Sequence, residues 1–339
     1  MGRKRHEPDA VGGGSAVSAF SARLGTVRGV DIDRARSLGI LVPFVALFIT
    51  LSFASNAFFT KVNMLDILDQ QSATLIVAAA GTLVLVAGGI DLSVGAVYSL
   101  AGVTAAEIAQ HHNAWLAIFL GIGVATLVGL VNGLVTTLLR INSLIATLAM
   151  SFVIAGIASR ITSGNLVVLF DKPAFGKLAG TEWGTVKTSI WLMVGAVVVL
   201  GIVLARTTAG RYMYAAGGNA EAARLAGVRV NAVRVLTFVL SGTAAGIAGV
   251  IDASRVLSAS ASSEDTSLAF TVLAGIVVGG TSILGGDGAV WRSVVGVLFI
   301  ALIGNGYILL GLDPLYEQIT MGAILIAAVA LDSWTRRHT

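Results

Sequence analysis

Long apolar runs follow one another along this chain from about residue 38 to residue 333. A helix needs roughly 20 residues to cross about 30 Å of hydrocarbon, and it satisfies all of its backbone hydrogen bonds within one segment. The runs are too long and too continuous for the strands of a membrane barrel. The sequence therefore predicts an all-α integral membrane protein with about ten transmembrane helices, at 38–58, 67–87, 92–110, 114–139, 141–161, 188–206, 233–253, 268–284, 289–311 and 315–333.

The composition agrees with a membrane protein. Of the 339 residues, 56% are hydrophobic and 12% are charged, whereas about a quarter of the residues are charged in an ordinary soluble domain. The chain contains no cysteine, which excludes disulfides and thiolate metal sites. The net charge of +4 comes from basic residues that flank the apolar runs without interleaved aromatics, a pattern that indicates membrane topology and no nucleic-acid partner.

The distribution of basic residues predicts the orientation. Residues 1–37 are rich in Gly, Ser and Arg, which predicts a flexible basic cytosolic tail. With this tail inside, ten spans place most of the 22 Lys and Arg residues in the cytosol. Both termini are then cytosolic, with residues 334–339 as a short C-terminal tail. The larger loops on the other side, 162–187 and 254–267, are either a surface for a water-soluble partner or simple connectors.

The most polar internal segment is the loop 206–234, which carries five arginines and one glutamate between two apolar runs. Asn219 can cap a short helix, and Gly227 can end that helix in a left-handed turn. Glu221 in the first turn and Arg224 near the last each lie at the end that the helix dipole favours. The loop is therefore predicted to hold a short capped helix that fits a groove on another protein, or to be a solvated loop with an incidental helical turn.

Two glycine-rich breaks interrupt the apolar runs. In the first, 88–95, Asp91 is costly inside a membrane unless it caps the next helix or lines a polar path, and Ser93 accompanies it. The second, 275–288, holds two Gly-Gly pairs around Thr281 and Ser282, which predicts a tight re-entrant turn. The chain has no G-x-x-x-x-G-K-[ST] sequence, so we expect no ATPase activity of its own.

Isolated polar residues also lie in or near the ends of the predicted spans. Such residues make hydrogen bonds between helices or, less often, line a pathway. They are Glu107, Asn132, Asn142, Asn165 and Asn305. His111 and His112 have no carboxylate at ligand spacing, so no metal site is predicted. No catalytic constellation is present either, and we predict neither an enzyme nor a bound cofactor.

Three stretches resemble the signature sequences of the ribose/xylose/galactose-type permeases of bacterial ABC sugar importers. They are GGIDLSVGAVYSLAG at 88–102, GRYMYAAGGNAEAARLAGVRVNAVR at 210–234 and GIVVGGTSILGGDGAVWRSVVGV at 275–297. The resemblance covers residues 38–333 and implies the type II importer permease fold in the bacterial cytoplasmic membrane. It also implies three partners: an ATPase that binds ATP and Mg, an extracytoplasmic sugar-binding protein and a second permease copy.

The resemblance assigns roles to particular residues. It places the ATPase-coupling helix at Gly217, Gly218, Asn219, Glu221, Ala222, Ala223, Arg224, Leu225 and Gly227. The polar residues described above, and not the resemblance, supply the candidates for the pore or its gate, which are Asp91, Ser93, Asn142, Thr281, Ser282 and Asn305. The function that the resemblance implies is ATP-driven import of a pentose or hexose.

Two other functions remain open on the sequence alone. An ion-coupled secondary transporter would need buried ionisable residues, for which Asp91 and Glu107 are the candidates. A branched-chain amino-acid ABC permease would share the general architecture, but the GGIDLSVG stretch favours the sugar branch. The sequence does not identify the sugar.

Overall fold

The computed structural model describes residues 39–261, 265–313 and 315–337, most of which are helical. The predicted flexible tail, 1–37, lies outside these residues. The helices from Ile40 onward form one unit. In chain order they are α1 (Leu41–Ala54), α2 (Lys61–Gln70), α3 (Ser72–Val86), α4 (Val94–His111), α5 (Ala114–Leu138), α6 (Ser143–Thr162), α7 (Pro173–Gly180), α8 (Thr188–Arg206), α9 (Thr208–Gly218), α10 (Ala220–Leu225), α11 (Val230–Val256), α12 (Asp265–Val278), α13 (Val290–Leu309) and α14 (Leu315–Arg337).

Several of these helices have the length and apolarity of a membrane span. Within the described ranges, five helices, α5, α6, α8, α11 and α13, are each long and apolar enough to cross a membrane. α2 and α3 pass the same test as a pair that is bent by 51°, and α1 and residues 267–278 are shorter apolar helices. Each of the predicted spans overlaps a helix in the predicted order.

The boundaries of several helices differ from the sequence-based prediction. The predicted span 67–87 crosses the bend between α2 and α3, and α12 ends at Val278, ahead of the predicted end at 284. α11 already begins at Val230 and α14 continues to Arg337, beyond the predicted end at 333. Hydrophobicity alone misses these positions because apolar residues continue through a bend or a turn, and polar residues continue a helix beyond the lipid.

The core of the bundle is built around α11, which packs against α5, α4 and α3. Small residues allow the close crossing of α5 and α11: a methyl group at Gly129 would lie 2.5 Å from the carbonyl oxygen of Phe238, and one at Gly242 would lie 2.5 Å from that of Ala125. Small residues thus allow these two helices to approach closely. Gly123 on the same helix makes no such contact, because a methyl group there would meet nothing within 4 Å.

Short strands order the two larger loops at the end of the bundle where α6 and α11 finish. The strand β1 (Val167–Val168) precedes α7, the strands β2 (Glu182–Trp183) and β3 (Val186–Lys187) form a hairpin after it, and β4 (Ser258–Ala259) follows α11. β1 and β4 pair in antiparallel register, with Val167 opposite Ala259. The loops after α6 and α11 are therefore joined by a ladder, which simple connectors would lack.

A buried carboxylate ties the same end of the bundle together. Asp69 on α2 accepts hydrogen bonds from Lys187 Nζ at 2.7 Å and from the hydroxyl of Ser189, and its carbonyl oxygen accepts one from Arg255 Nη1 at 2.9 Å. These contacts connect α2, α8 and α11. The sequence alone does not reveal this cluster, because Asp69 lies more than a hundred residues from each of its partners.

Candidate functional site

The helix α10 has the caps that the sequence predicts. The side-chain oxygen of Asn219 accepts hydrogen bonds from the backbone N–H of Glu221 at 3.1 Å and of Ala222 at 2.9 Å. After the helix, Gly227 has a φ of 86°, and the following N–H donates to the carbonyl of Ala223 at 2.9 Å. Glu221 and Arg224 lie in the first and last turns, as expected. The short capped helix is therefore confirmed as a local structure, and its fit to a groove on another protein stays a prediction.

One face of α10 packs inward while the remainder is open. Ala223 is buried, whereas Glu221, Ala222 and Arg224 are exposed. Leu225 is 87% exposed, which is unusual for an apolar side chain at the end of a capped helix. This arrangement offers a partner protein a mixed surface of two charges and one leucine.

The helix α9, which the sequence did not predict, anchors α10 to the bundle. The hydroxyl of Tyr214 donates a hydrogen bond to the carbonyl of Gly288 at 2.7 Å. Burial raises the pKa of Tyr214 above its ordinary value of 10.0, an effect that Arg292 opposes and Asp287 supports. The hydroxyl therefore stays protonated and remains a donor at physiological pH.

The three signature stretches meet where their glycines touch, in what we call the glycine junction: Gly88, Gly217, Gly285 and Gly286. A methyl group at Gly285 would lie 2.9 Å from the Cα of Gly88 and 3.2 Å from that of Gly217. Gly88, Gly285 and Gly286 have φ values of 78°, 89° and 76°, a left-handed region that favours glycine. The N–H of Gly286 also donates to the carbonyl of Val86 at 2.9 Å. Backbone thus packs directly on backbone from three distant segments.

The second break forms a tight turn, as predicted, and it buries its polar residues. Thr281 and Ser282 are both buried. The hydroxyl of Thr281 lies 3.3 Å from that of Ser293 on α13, which accepts a hydrogen bond from Thr82 on α3 at 2.7 Å. Ser282 accepts from the N–H of Leu284 at 3.1 Å. These residues join α3, α13 and the turn to one another.

An ion pair closes the same turn. Arg292, a buried residue of α13, donates to Asp287 at 2.7 Å. The N–H of Ser282 donates to the carbonyl of Asp287 at 3.0 Å. The turn is therefore held by side-chain and backbone contacts at both of its ends.

Asp91 organises the first break but does not occupy the predicted N-cap position. The N-cap of α4 is Ser93, whose backbone N–H and hydroxyl both donate to Asp91 Oδ1, at 3.0 and 2.6 Å. Ser241 on α11 donates to Asp91 Oδ2 at 2.8 Å, and the amide of Asn132 on α5 donates to the Ser93 hydroxyl at 2.7 Å. The carboxylate therefore links the break to α11, and through Ser93 to α5. The prediction that Asn132 makes an interhelical hydrogen bond is confirmed.

Two further hydroxyl groups hold the backbone of this break. The N–H of Ile90 donates to the hydroxyl of Ser143, and the N–H of Leu92 donates to that of Thr147, each at 3.0 Å. Both acceptors belong to α6. Sequence reasoning missed them and Ser241, because a serine or threonine in an apolar helix gives no local sign of the backbone that it contacts.

The remaining pore candidates lie in other places. Asn142 caps α6, with its side chain accepting from the N–H of Leu144 at 2.9 Å. Asn305 on α13 exchanges hydrogen bonds with Asn63 on α2, at 2.9 and 3.2 Å. Within the described part of the chain, the six pore candidates therefore do not line one common cavity. Within the described ranges, no group of three or more His, Asp or Glu could hold a metal ion.

Comparisons with known proteins agree with the signature stretches. The family model described as "Branched-chain amino acid transport system / permease component" matches residues 63–329. The L-arabinose transport system permease protein AraH of Escherichia coli (strain K12) is 37% identical over 302 residues, which are 88% of this chain and 91% of that protein.

Two ribose permeases are similar over a comparable length. The ribose import permease protein RbsC of Escherichia coli (strain K12) is 33% identical over 302 residues, 86% of this chain and 92% of its own. The protein of the same name from Bacillus subtilis (strain 168) is 35% identical over 297 residues, with the same coverage of 86% and 92%. No solved structure matches the chain. The resemblance to bacterial sugar permeases is thus confirmed.

Proposed function

This chain belongs to the branched-chain amino acid transport system / permease component family, and on that premise we propose that it is the membrane subunit of an ATP-driven importer of a pentose or related monosaccharide. The family match covers most of the chain, and the relatives described above are named for L-arabinose and ribose. These names favour a sugar over a branched-chain amino acid and an ABC importer over an ion-coupled transporter.

The glycine junction is the observation that carries the coupling mechanism. The exposed helix α10 follows directly on Gly217 and Gly218, and these glycines contact the backbone of the other two signature stretches without side chains between them. A displacement of α10 is therefore transmitted to Gly88 and Gly285. The partner ATPase, which binds ATP and Mg, pushes on α10 when its nucleotide sites close, and the residues that receive this push are those of the predicted coupling helix.

The Asp91 break lies one step further along this route. Gly88 is followed within the same break by Asp91 and Ser93, whose hydrogen bonds reach α11 and α5. A shift of the junction therefore acts on two helices of the core. Thr281 and Ser282 receive the same shift through Gly285 and pass it to α3 and α13. These four polar residues act as gating residues in this proposal.

The complete transporter needs two permease copies and two further partners. In our proposal ten passages cross the bacterial cytoplasmic membrane with both termini in the cytosol, and the sugar path runs between the two copies. The extracytoplasmic sugar-binding protein docks on the end that carries β1, β4 and the β2–β3 hairpin. Asn142 and Asn305 remain candidates for contact with the path.

Reconstituted transport tests the proposal. The chain, its ATPase and its binding protein are placed in liposomes, and uptake of labelled L-arabinose and D-ribose is measured with ATP, with a non-hydrolysable analogue and with a proton ionophore. We expect uptake to require hydrolysable ATP and to persist with the ionophore. Uptake by the chain alone that collapses with the ionophore would establish the ion-coupled alternative, and uptake of leucine in place of sugar would establish the amino-acid alternative.

A further inference from the structure

A cavity of about 750 Å³ opens beside α10, between the end of α5, the start of α6 and the start of α11. We call it the basic cleft, because Arg140, Arg224 and Arg234 line it together with the side-chain amides of Asn142 and Asn231. The coupling mechanism proposed above uses α10 and Gly88, which lies in the cavity lining, but assigns no ligand to the cavity. Its lining is nonetheless rich in hydrogen-bond donors.

Within the described residues, no carboxylate compensates the positive charge of the basic cleft. In the described part of the chain, ion pairs join Lys172 to Asp171, Lys187 to Asp69, Arg255 to Asp252 and Arg292 to Asp287, and the three cleft arginines pair with no carboxylate. Arg224 and Arg234 instead line the same cavity with like charges. An anion between them would offset both charges and accept hydrogen bonds from both guanidinium groups.

The start of α6 adds to the preference for an anion. Asn142 and Ser143, the N-cap and first residue of this 20-residue helix, both line the cleft. The positive end of a helix dipole favours a negatively charged group nearby. Arg140 precedes them in a left-handed backbone conformation with a φ of 56°. The charged side chains and the helix dipole thus favour the same ligand chemistry.

The border of the cleft is apolar and exposed, unlike its interior. Leu138, Leu139 and Ile141, which lead from α5 to α6, are 69%, 64% and 42% exposed. Ile141 also lines the cavity itself. A ligand that matches both surfaces has an anionic group for the arginines and long apolar chains for the leucines. A phospholipid has this combination, whereas a free sugar phosphate or nucleotide lacks the chains.

We propose that the basic cleft binds the headgroup of an anionic phospholipid from the leaflet on the side of α10. Basic pockets between membrane helices on the cytoplasmic side are suited to such headgroups. The assignment of this side to the cytosolic leaflet rests on the proposed function, but the binding itself does not. Because Arg224 belongs to α10, a bound headgroup restrains the coupling helix.

Native mass spectrometry of the full chain in a neutral detergent tests the proposal. The purified permease is titrated with dioleoyl phosphatidylglycerol and, separately, with dioleoyl phosphatidylcholine. We expect saturable binding of phosphatidylglycerol only, with one high-affinity lipid per chain. Arg140→Gln should weaken it about fivefold, the loss of roughly one arginine contact at a membrane surface, while Arg140→Lys retains most of the affinity. Arg160→Gln, at the other end of α6, is the matched control.

The outcomes separate this proposal from its competitors. Equal binding of the two lipids, or an affinity that Arg140→Gln leaves unchanged in a normally folded protein, would overturn it. Inorganic phosphate that displaces the lipid at comparable concentration would identify a site for a free anion. If Arg140→Gln keeps its lipid but loses affinity for the ATPase, the ligand of the basic cleft is an acidic face of that partner, and the lipid proposal is overturned. The titration contains neither ATP nor sugar, so failure here leaves the transport assay unaffected.

Discussion

Gly217 is the residue at which the smallest change should have the largest effect. A methyl group there would overlap the carbonyl oxygen of Val86 and lie 2.7 Å from the N–H of Gly286. Because backbone atoms cannot rotate away as a side chain can, we expect Gly217→Ala to destabilise the protein by about 1–3 kcal/mol or more. The measurement is the midpoint of thermal unfolding in detergent, together with ATP-dependent uptake.

Gly123→Ala is the control for this substitution. Gly123 lies in the middle of α5, where a methyl group would meet nothing within 4 Å. Alanine is also the better helix former by roughly 1 kcal/mol, so this variant should be at least as stable as the wild type. A Gly217→Ala variant that unfolds at the same temperature as Gly123→Ala would show that the junction is looser than its backbone contacts indicate.

The carboxylate of Asp91 can be tested for structural and transport roles in one pair of variants. Asp91→Ala leaves three donors without an acceptor, the N–H and hydroxyl of Ser93 and the hydroxyl of Ser241, each at a cost of about 1–3 kcal/mol where buried. Asp91→Asn keeps one oxygen for Ser93, and the Ser241 hydroxyl can rotate to accept from the new amide. We therefore expect the alanine variant to melt at a clearly lower temperature than the asparagine variant.

Uptake measurements on the same pair distinguish the two roles. If Asp91 serves chiefly to hold the break, Asp91→Asn should keep most of its ATP-driven uptake. A stable asparagine variant without uptake would mean that the negative charge itself is needed on the transport path. Similar melting of the two variants would contradict the hydrogen-bonding role assigned to the carboxylate.

At the scale of elements, the cap of α10 provides a test of coupling. Replacing an N-cap asparagine by alanine costs about 0.5–2 kcal/mol, and a helix of only six residues, Ala220–Leu225, has little stability of its own to lose. We expect Asn219→Ala to weaken binding of the ATPase and to slow ATP-driven uptake, and Asn219→Ser to restore both. Pull-down of the ATPase by the tagged permease measures the first effect.

The cap at the start of α5 provides the matching control. Asn113 accepts a hydrogen bond from the N–H of Leu116 at 2.8 Å, and the end of α5 that faces the basic cleft is far along the chain at Leu138. Asn113→Ala should therefore leave binding of the ATPase unchanged. If both variants lose the ATPase equally, the effect is one of general stability, and α10 is not the contact.

The same helix shows how far a sequence can predict an element. The caps of α10 depend on Asn219 and Gly227, which lie within one turn of the residues they serve, and they were predicted correctly. The helix α9 was not, because Gly210, Gly217 and Gly218 give its sequence a weak helical propensity and it depends on contacts with distant segments, among them Gly288. The sequence therefore predicts capping interactions between residues that are close along the chain, but it does not predict a helix that is stabilised by tertiary contacts.

The membrane helices show the same limit of prediction from the sequence. Their order follows from hydrophobicity, but the bend after Gln70 and the early end of α12 at Val278 lie inside apolar runs. The candidate site shows it most clearly, since Gly88, Gly217 and Gly285 each mark a break in the sequence without indicating that the three breaks touch. That contact is a property of the folded bundle.

At the scale of the whole molecule, the polar candidates are dispersed over several helices of the described chain. Asp91 contacts α11, Thr281 contacts α13, and Asn305 is paired with Asn63 on α2. In a symmetric dimer the same face of each copy lines the central axis, so a sugar path between two copies is lined by the candidates on that one face. In our proposal the transporter is such a dimer, with the coupling helix of each copy on the same side of the membrane.

Orientation is the property of the whole molecule that can be measured most directly, because the natural chain contains no cysteine. Leu225→Cys places a thiol on the exposed end of α10, and Trp183→Cys places one on the exposed strand β2, where the side chain is 68% exposed. One membrane-spanning helix, α8, separates them. A membrane-impermeant maleimide should label Trp183→Cys in right-side-out vesicles and Leu225→Cys only in inverted ones.

Whether the number of passages is even or odd can be measured with the same reagent at the two ends of the chain. Gly2→Cys and Thr339→Cys should both react only in inverted vesicles, since an even number of passages returns the chain to its starting side and the excess of Lys and Arg holds the N-terminal side in the cytosol. Ends that label from opposite sides would require an odd number of passages. The short helix α1 would then be the first to reconsider, because its 14 residues span only about 21 Å at 1.5 Å per residue, less than the roughly 30 Å of a hydrocarbon core.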